Sequence, residues 1–403
     1  MKIILVCFLV LSLLSIDSLK GQVDILDFSG VVIDTTTKAP VANMNVFVAN
    51  TTIGTITNQN GEFDLRIVPM SHIEIVFSHV SYELKVIYLG NLEKSVKNRK
   101  VYVYPMINVI DEVVISANKV SKRKKDASRI YCESVIREFL LGDLLQSECI
   151  LRNPEILVFS KQGSRFYATA KSPLVIDNYR LGYTLKYNLE YFIFQEIANS
   201  DISNVNNSFY SFKGTALYKK ISTSSRLAQK RWVDNRTKAY AGSLTNFLST
   251  LNRNQLSENH YTVIKPGYLN GTYNVLEKRI ESKMDVGTID SVLFFDETEN
   301  KQRYLSYFPS NLFPINKWIR EGSTDGCKIL KFVDTLLIFR DFIDTPYLYD
   351  DETVLFSIGP GQLTFNELGD YQIYGGDLIW CYLNYPVKLI NLLPLDYLQK
   401  DDK

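Results

Sequence analysis

Glu62-Phe63-Asp64-Leu65-Arg66, Ile73-Glu74-Ile75-Val76-Phe77 and Leu84-Lys85-Val86-Ile87-Tyr88 are the segments on which the fold turns. Apolar and polar residues alternate along them, the period of a strand with one face in a core and one in water. Asn58-Gln59-Asn60-Gly61 leads into the first as a turn, and Gly61 supplies the positive φ of a tight reversal. Upstream, Val31–Ile33 is apolar and Asp34–Pro40 carries turn residues. Met44, Val46 and Val48 fall on one side of a strand, Asn45 and Phe47 on the other. Val101–Tyr104 closes the set. Short strands roughly 8–12 residues apart, with turn chemistry between them, predict a β-sandwich.

Several short stretches give this region a relationship. They are Gly30-Val31-Val32-Ile33-Asp34, Ala39-Pro40-Val41-Ala42-Asn43-Met44-Asn45-Val46, Gly54-Thr55-Ile56-Thr57-Asn58 and Asn60-Gly61-Glu62-Phe63. Phe77-Ser78-His79-Val80-Ser81-Tyr82 and Asp111-Glu112-Val113-Val114-Ile115-Ser116-Ala117 complete them. Together they resemble the carboxypeptidase-regulatory-like domain, the transthyretin-like sandwich common at the head of exported Bacteroidota proteins. The resemblance implies a Greek-key, transthyretin/Ig-like module over 27–117. It departs from the family pattern at Ser81, where Gly is usual, and at Asn58, where Asp is usual. In metallocarboxypeptidases this module is the accessory part and holds no zinc ligand. The histidines of this chain, His72, His79 and His260, lack the Glu three residues on that a peptidase zinc site needs, and no His-Glu-x-x-His is present.

The first residues explain where such a module would work. Met1-Lys2 and the apolar run Ile3–Ile16 read as a signal peptide over 1–21, too short for a membrane span of roughly 20 apolar residues. Cleavage is expected after Gly21. Cys7 has no small residue placed for a lipoprotein box, so no lipid attachment is expected. Lys plus Arg total 45 against 44 Asp plus Glu, a balance that argues against a nucleic-acid partner. Cys132, Cys149, Cys327 and Cys381 follow the signal at wide spacings with no CxxC, so zinc is not expected and the pairing stays open.

Residues 118–150 read as a connector. Lys119, Lys122, Arg123, Lys124 and Lys125 make a basic linker. Ile130, Val135, Ile136, Phe139, Leu140 and Leu144 recur near helical spacing, predicting an amphipathic helix from Ser128 to about Gln146 that spaces the sandwich from the second domain. Residues 151–403 read as that domain, larger, β-rich and α+β. Strands are expected at 156–160, 166–170, 174–176, 184–187, 191–195 and 208–212, as a meander with Gly163, Gly182 and Gly214 at turns or bulges. One long helix is expected over Ser224–Leu251, with Tyr240, Leu244, Phe247, Leu248 and Leu251 as its stripe. Strands resume at 261–264, 272–276, 291–295, 304–308, 326–332, 336–339, 354–358 and 377–382.

Patches of this region resemble a domain of unknown function that follows the same head module in Bacteroidota proteins. They are Pro173–Asn178, Leu181-Gly182-Tyr183, Lys186–Leu189, Arg231–Leu244 with Phe247-Leu248, and Leu392–Tyr397. Relatives carry His before the Phe-Leu pair and Arg after it. Asn246 and Ser249 stand there in this chain, so a function resting on that His and Arg would be missing.

Trp232, Arg236 and Tyr240 lie at i, i+4 and i+8 on one helix face. They are the candidate ligand or partner contact, with Arg236 as an anion clamp between two aromatics. The plainer reading stacks Arg236 on Trp232 as a packing device. Gly242-Ser243-Leu244 lacks the elbow of a nucleophilic serine. No catalytic, cofactor or metal residue is assigned. The expectation is a non-catalytic exported cell-envelope protein, an interaction or scaffold protein of the periplasm or outer membrane. An envelope protein or polysaccharide would be its partner, with peripheral outer-membrane association and no cofactor. Two other readings stay open. One is an outer-membrane β-barrel behind a periplasmic sandwich, motivated by the alternating, Tyr-rich strands. The other is a glycan- or peptide-acting enzyme with carboxylates among Asp285, Asp290, Asp296 and Glu297.

Overall fold

The computed structural model describes residues 25–68, 73–90, 95–106, 122–142, 147–162, 165–196, 208–264, 291–296, 301–306, 314–322, 326–331, 334–340, 354–358, 362–374, 378–382, 385–386 and 388–397. The signal segment, His72, the Asp111–Ala117 motif, Lys119, Leu144, Gly163, the strand expected at 272–276, Asp285, Asp290 and Glu297 lie outside them. Among the described residues no helix is long and apolar enough to cross a membrane.

The chain is mainly β, and its head is a sandwich. One layer has β4 (Glu62–Ile67), β1 (Leu26–Asp34) and β7 (Val96–Val103) in that order; the other has β3 (Gly54–Ile56), β2 (Asn45–Val48), β5 (Ile73–Ser78) and β6 (Lys85–Gly90). β1 runs antiparallel to β4 and parallel to β7. The alternation seen in the sequence is the alternation of burial. Phe63, Leu65 and Ile67 turn inward from β4, while Glu62, Asp64 and Arg66 face water. Phe28, Met44, Val46, Ile75 and Val103 are fully buried between the layers. Phe63 stands between Phe28 and Phe77, with ring centroids 5.5 and 5.4 Å away.

Both departures from the family pattern are absorbed locally. Asn58 Oδ1 accepts the amides of Asn60 and Glu62 at 3.0 and 2.9 Å, the turn-closing work of an Asp, and Gly61 takes φ 69°. Ser81 donates its amide to His79 Nδ1 at 3.1 Å, so the strand exit forms without glycine. Asp34 ties two of the quoted segments together. Its Oδ1 accepts the amides of Thr36 and Thr37, and its Oδ2 accepts the Tyr82 hydroxyl at 3.0 Å. The Thr37 amide leads in holding the Asp34 carboxyl below the usual carboxylate range, against a smaller opposing effect of burial.

The alternation fails in β2 and β5. Phe47 and Val76, expected on the wet face, are 1% and 0% exposed. With Ala49 they form a second, small cluster to which Val86 and Leu217 contribute. The centre of the four-stranded layer, β2 and β5, is therefore buried on both faces, and there its outer face lies on the rest of the chain.

That rest begins with α1 (Lys122–Val135), continued by a wider π-type turn, Ile136–Leu141, that stops at Gly142 with φ 84°. The basic run thus enters the helix at Lys122 instead of forming a separate linker. Ile130, placed on the apolar stripe by spacing, is exposed, whereas Val135, Ile136, Phe139, Leu140 and Leu141 are buried. These pack on a sheet of β8 (Cys149–Leu151), β9 (Leu157–Gln162), β10 (Arg165–Ala170), β11 (Leu174–Asn178), β12 (Tyr183–Glu196) and β13 (Ser208–Lys220). The strands expected at 184–187 and 191–195 are one strand, β12, kinked between Leu189 and Tyr191. It is no simple meander. β11 and β10 pair end to end along one edge of β12, and β13 pairs along the whole other edge. Gly214 sits opposite the kink, where a Cβ would come within 2.4 Å of the Asn188 carbonyl.

The long helix expected over Ser224–Leu251 is two helices, α2 (Arg226–Ala241) and α3 (Leu244–Asn252). Ser243 makes the break. It caps α3 by accepting the Asn246 amide at 3.1 Å and donates its hydroxyl to Tyr240 O at 2.8 Å. α3 then buries Leu244, Phe247, Leu248 and Leu251 under β14 (Tyr261–Ile264) and later strands. β15 (Ser291–Asp296) pairs with β16 (Lys301–Ser306). β17 (Ile319–Glu321), β18 (Lys328–Leu330), β21 (Gln362–Phe365) and β22 (Tyr371–Tyr374) form one sheet. β14, β19 (Asp334–Arg340), β20 (Val354–Ile358), β23 (Leu378–Tyr382) and β24 (Tyr385–Pro386) form another. Asp296 ends β15.

Candidate functional site

Trp232, Arg236 and Tyr240 do share one face of α2, and that face is turned inward. Trp232 and Arg236 are each 6% exposed. Both are directed at the turn between β11 and β12. Trp232 Nε1 donates to Tyr179 O at 2.7 Å, Asn235 Nδ2 to Arg180 O at 2.9 Å, and Arg236 Nη1 to Leu181 O at 2.9 Å. Three consecutive carbonyls of one turn thus each receive a side chain from one helix. The turn has strand pairing only beyond its ends, so these donors satisfy its carbonyls; the bond to Leu181 O is the buried one, and leaving that carbonyl unmade would cost roughly 1–3 kcal/mol.

The turn is shaped to meet the helix. Asn178 Oδ1 accepts the amides of Arg180 and Leu181 from below, and Gly182 takes φ 74°. A Cβ on Gly182 would lie 2.4 Å from the Trp232 ring, so only glycine admits the indole. The Arg236 guanidinium lies over the Tyr183 ring, 5.5 Å from its centroid, and not over Trp232 as spacing alone implied. Tyr240 is half-buried against Tyr397, ring centroids 5.8 Å apart, and burial raises its hydroxyl above the usual tyrosine range. The sequence reading missed Asn235, which carries no pattern signal, and missed that the partners are backbone carbonyls.

Asn246 and Ser249 have structural tasks. Asn246 Nδ2 donates to Ala241 O at 3.2 Å and to the Tyr261 hydroxyl at 2.9 Å. Ser249 Oγ donates to Glu367 O at 2.7 Å. The closing segment joins the same neighbourhood, since Asn178 Nδ2 donates to Ile390 O at 3.0 Å.

From there the closing segment reaches the sandwich. Leu395 N donates to Asn50 O at 2.8 Å. Asp396 accepts the Thr52 amide at 2.8 Å and the Thr52 hydroxyl at 2.5 Å. The loop 49–52 also pairs with β13. Asn50 N donates to Ala216 O at 2.8 Å, Ala216 N to Asn50 Oδ1 at 2.9 Å, and Tyr218 N to Thr51 O at 2.9 Å. Asn50 takes φ 59°, a conformation asparagine tolerates better than most residues. Beside this seam, Ser78 Oγ donates to Asn188 Oδ1 at 3.0 Å and Lys186 Nζ to Asn45 Oδ1 at 2.9 Å. Leu217 fills the apolar centre with Phe47 and Val76, and a Cβ on Gly54 would stand 2.9 Å from it. Each large side chain buried here contributes roughly 1.5–3 kcal/mol. The α1 helix therefore does not space the sandwich away; the sandwich rests on β12 and β13.

Among the described residues no three His, Cys, Asp or Glu side chains gather as a metal cluster. His79 is a strand-end residue, edge-on to Tyr82 at 5.4 Å, and burial lowers its pKa. His260 follows α3 with φ 59°. Cys132 is a free, half-buried thiol whose pKa burial raises. Cys149 and Cys327 are buried.

A small sandwich of three plus four strands, closed by the Asp34–Tyr82 pair, defines the class of the head. Residues 28–115 match the CarboxypepD_reg-like domain, and the head is such a domain. No curated protein matches the chain. Among solved structures, one similar chain belongs to a type II cohesin–X-dockerin complex of Acetivibrio cellulolyticus. It shows 20% identity and a TM-score of 0.18 over 20% of this chain, which spans 58% of that one. A DUF3823 family protein of Bacteroides ovatus shows 10% identity and a TM-score of 0.17, over 50% of this chain and 83% of its own. Overlaps this slight carry no argument about the remainder of the chain.

Proposed function

We propose that the protein is a non-catalytic, exported cell-envelope binding or scaffold protein whose CarboxypepD_reg-like head, residues 27–117, is fixed to a β-rich body, residues 151–403, instead of hanging from it. The observation that carries this reading is the Asn50–Ala216 seam with its apolar centre at Phe47, Val76 and Leu217. Such a seam makes the head a rigid part of one surface, which suits a scaffold that presents a partner in a set orientation. The side-chain donors of Trp232, Asn235 and Arg236 support reading that helix face as a packing device, since each is engaged by a backbone carbonyl. The apolar leader supports export to the periplasm or outer membrane.

Cross-linking in intact cells followed by envelope fractionation tests this. A discrete cross-linked partner or polymer in the envelope fraction supports the reading. A protein free in the soluble fraction with no partner contradicts it, as does turnover of peptide or glycan substrates by the purified chain.

A further inference from the structure

We propose that the outer face of α2 is a docking surface for an anionic phospholipid bilayer, with Arg226, Lys230 and Arg231 as its headgroup contacts and Leu227 as its apolar tip. The inference rests on the envelope reading above and names the surface the protein docks on. The inner face of α2 is committed to the turn between β11 and β12 through Trp232, Asn235 and Arg236. The opposite face has Arg226, Leu227, Lys230, Arg231, Asp234 and Lys238 at spacings of three and four residues, and all six are exposed. They extend about 18 Å along one side of the helix. Leu227 is 83% exposed, more than any other large apolar side chain among the described residues. Lys219 and Lys220, also exposed, end β13 just before the helix.

The charge on this face selects its occupant. Asp234 is the one acidic residue between Lys219 and Lys238. Acids on the neighbouring elements are already engaged: Glu148 pairs with Arg180 at 3.3 Å, Asp177 with Arg152 at 2.6 Å, and Asp396 is bound by Thr52. A chain with a net charge of only +1 thus gathers a cationic surplus at one place. The first turn of α2 holds Arg226 and no acid, the reverse of what the helix dipole favours, so local helix stability does not account for the charge. A convex row of cations around a projecting leucine fits a fluid anionic surface. Lipid phosphates can move to each cation while the leucine enters the boundary between headgroups and acyl chains. The Lys and Arg stems lie along that boundary with their heads in water. A folded protein partner would have to close over Leu227 and desolvate the lysines around it, and interface cores are depleted in lysine. A soluble acidic polymer would use the cations and leave the leucine in water.

The test is co-sedimentation of the full mature chain with vesicles of mixed phosphatidylglycerol and phosphatidylcholine, against vesicles of phosphatidylcholine alone. The proposal expects binding to the first and not to the second, with release at about 0.5 M salt, where exposed charges are screened. The triple variant Arg226→Gln, Lys230→Gln, Arg231→Gln should bind about a hundredfold more weakly, roughly fivefold for each cation. Leu227→Ser should bind about tenfold more weakly. The triple variant Lys85→Gln, Arg99→Gln, Lys100→Gln removes the same charge from exposed positions of the head and should leave binding within about twofold. Circular dichroism of each variant verifies the fold. No binding to either vesicle overturns the docking surface, as does equal binding to both. An equal loss in the two triple variants also overturns it, as does binding indifferent to the α2 triple variant or to Leu227→Ser. Capture by alginate without capture by vesicles assigns the cations to an acidic polymer and overturns the membrane. The binding-protein reading survives each of these results and falls only by its own cross-linking experiment.

Discussion

Asn50 and Ala216 hold each other by two hydrogen bonds: the Asn50 amide donates to Ala216 O at 2.8 Å, and the Ala216 amide donates to Asn50 Oδ1 at 2.9 Å. A side-chain oxygen thus imitates the next residue of a strand, and a loop of the head is paired to the outer edge of β13. Ala216 is 1% exposed, so its amide has no access to water in place of that oxygen.

Asn50→Ala removes the acceptor and also places a Cβ-bearing residue without local hydrogen bonding at positive φ. The expected loss is about 2–4 kcal/mol of unfolding free energy. Asn50→Gly keeps the backbone conformation and loses only the acceptor, so it should cost roughly half as much. Urea denaturation of the three proteins checks the order. Equal stability of all three would mean that the seam contributes nothing.

Gly182 admits the Trp232 indole, and the pair gives a second prediction. Gly182→Ala drives a methyl into the ring and strains a φ of 74°, with an expected loss of more than about 3 kcal/mol. Trp232→Phe keeps most of the apolar area but leaves Tyr179 O without its donor, for about 1–3 kcal/mol. Thermal melts separate the two. If Arg236 were a ligand clamp, Arg236→Met would leave stability unchanged; as the donor to Leu181 O it should destabilise, by about 1–3 kcal/mol.

Asp34 makes the stability of the head depend on acid. Its folded-state pKa is depressed, chiefly by the Thr37 amide, so its contribution is present above the unfolded value of about 4 and is lost as pH falls through the folded value. Asp177 behaves alike. Burial opposes its ionisation, but the Thr184 hydroxyl and Arg152 guanidinium outweigh that and keep its pKa low. Asp34→Asn should therefore be less stable than the natural chain at pH 6 and converge with it toward pH 3, along a flatter acid limb. Parallel pH curves for the two proteins would show that the carboxylate does not act this way.

The sandwich could be read from the sequence because most of its strands have one wet face, so Glu62, Asp64 and Arg66 mark the register of Phe63, Leu65 and Ile67. Phe47 and Val76 broke that rule for a reason visible only in space: both sides of β2 and β5 are covered, and an alternation signal vanishes when neither side meets water. β12 was divided in two because Glu190-Tyr191 interrupts the pattern at its kink, and bulges preserve pairing while shifting side chains. The α2–α3 break escaped because Gly242 alone does not stop a helix; Ser243 does, by capping forward and backward at once. The face of Trp232, Arg236 and Tyr240 was legible as a face, but its partners were not. Backbone carbonyls carry no residue identity, so nothing in the letters of Tyr179, Arg180 and Leu181 announces them as acceptors.

Hydrogen exchange at the amides of Ala216, Tyr218 and Leu395 in the intact chain reads the fixed head without perturbing it. These three N–H groups are donated to Asn50 and Thr51 of the head. If head and body form one unit, they exchange as slowly as amides in the core of β12–β13, and Asn50→Ala releases them. Exchange at the rate of an open strand edge in the natural chain, while the sandwich core stays protected, would mean that the head is tethered and free.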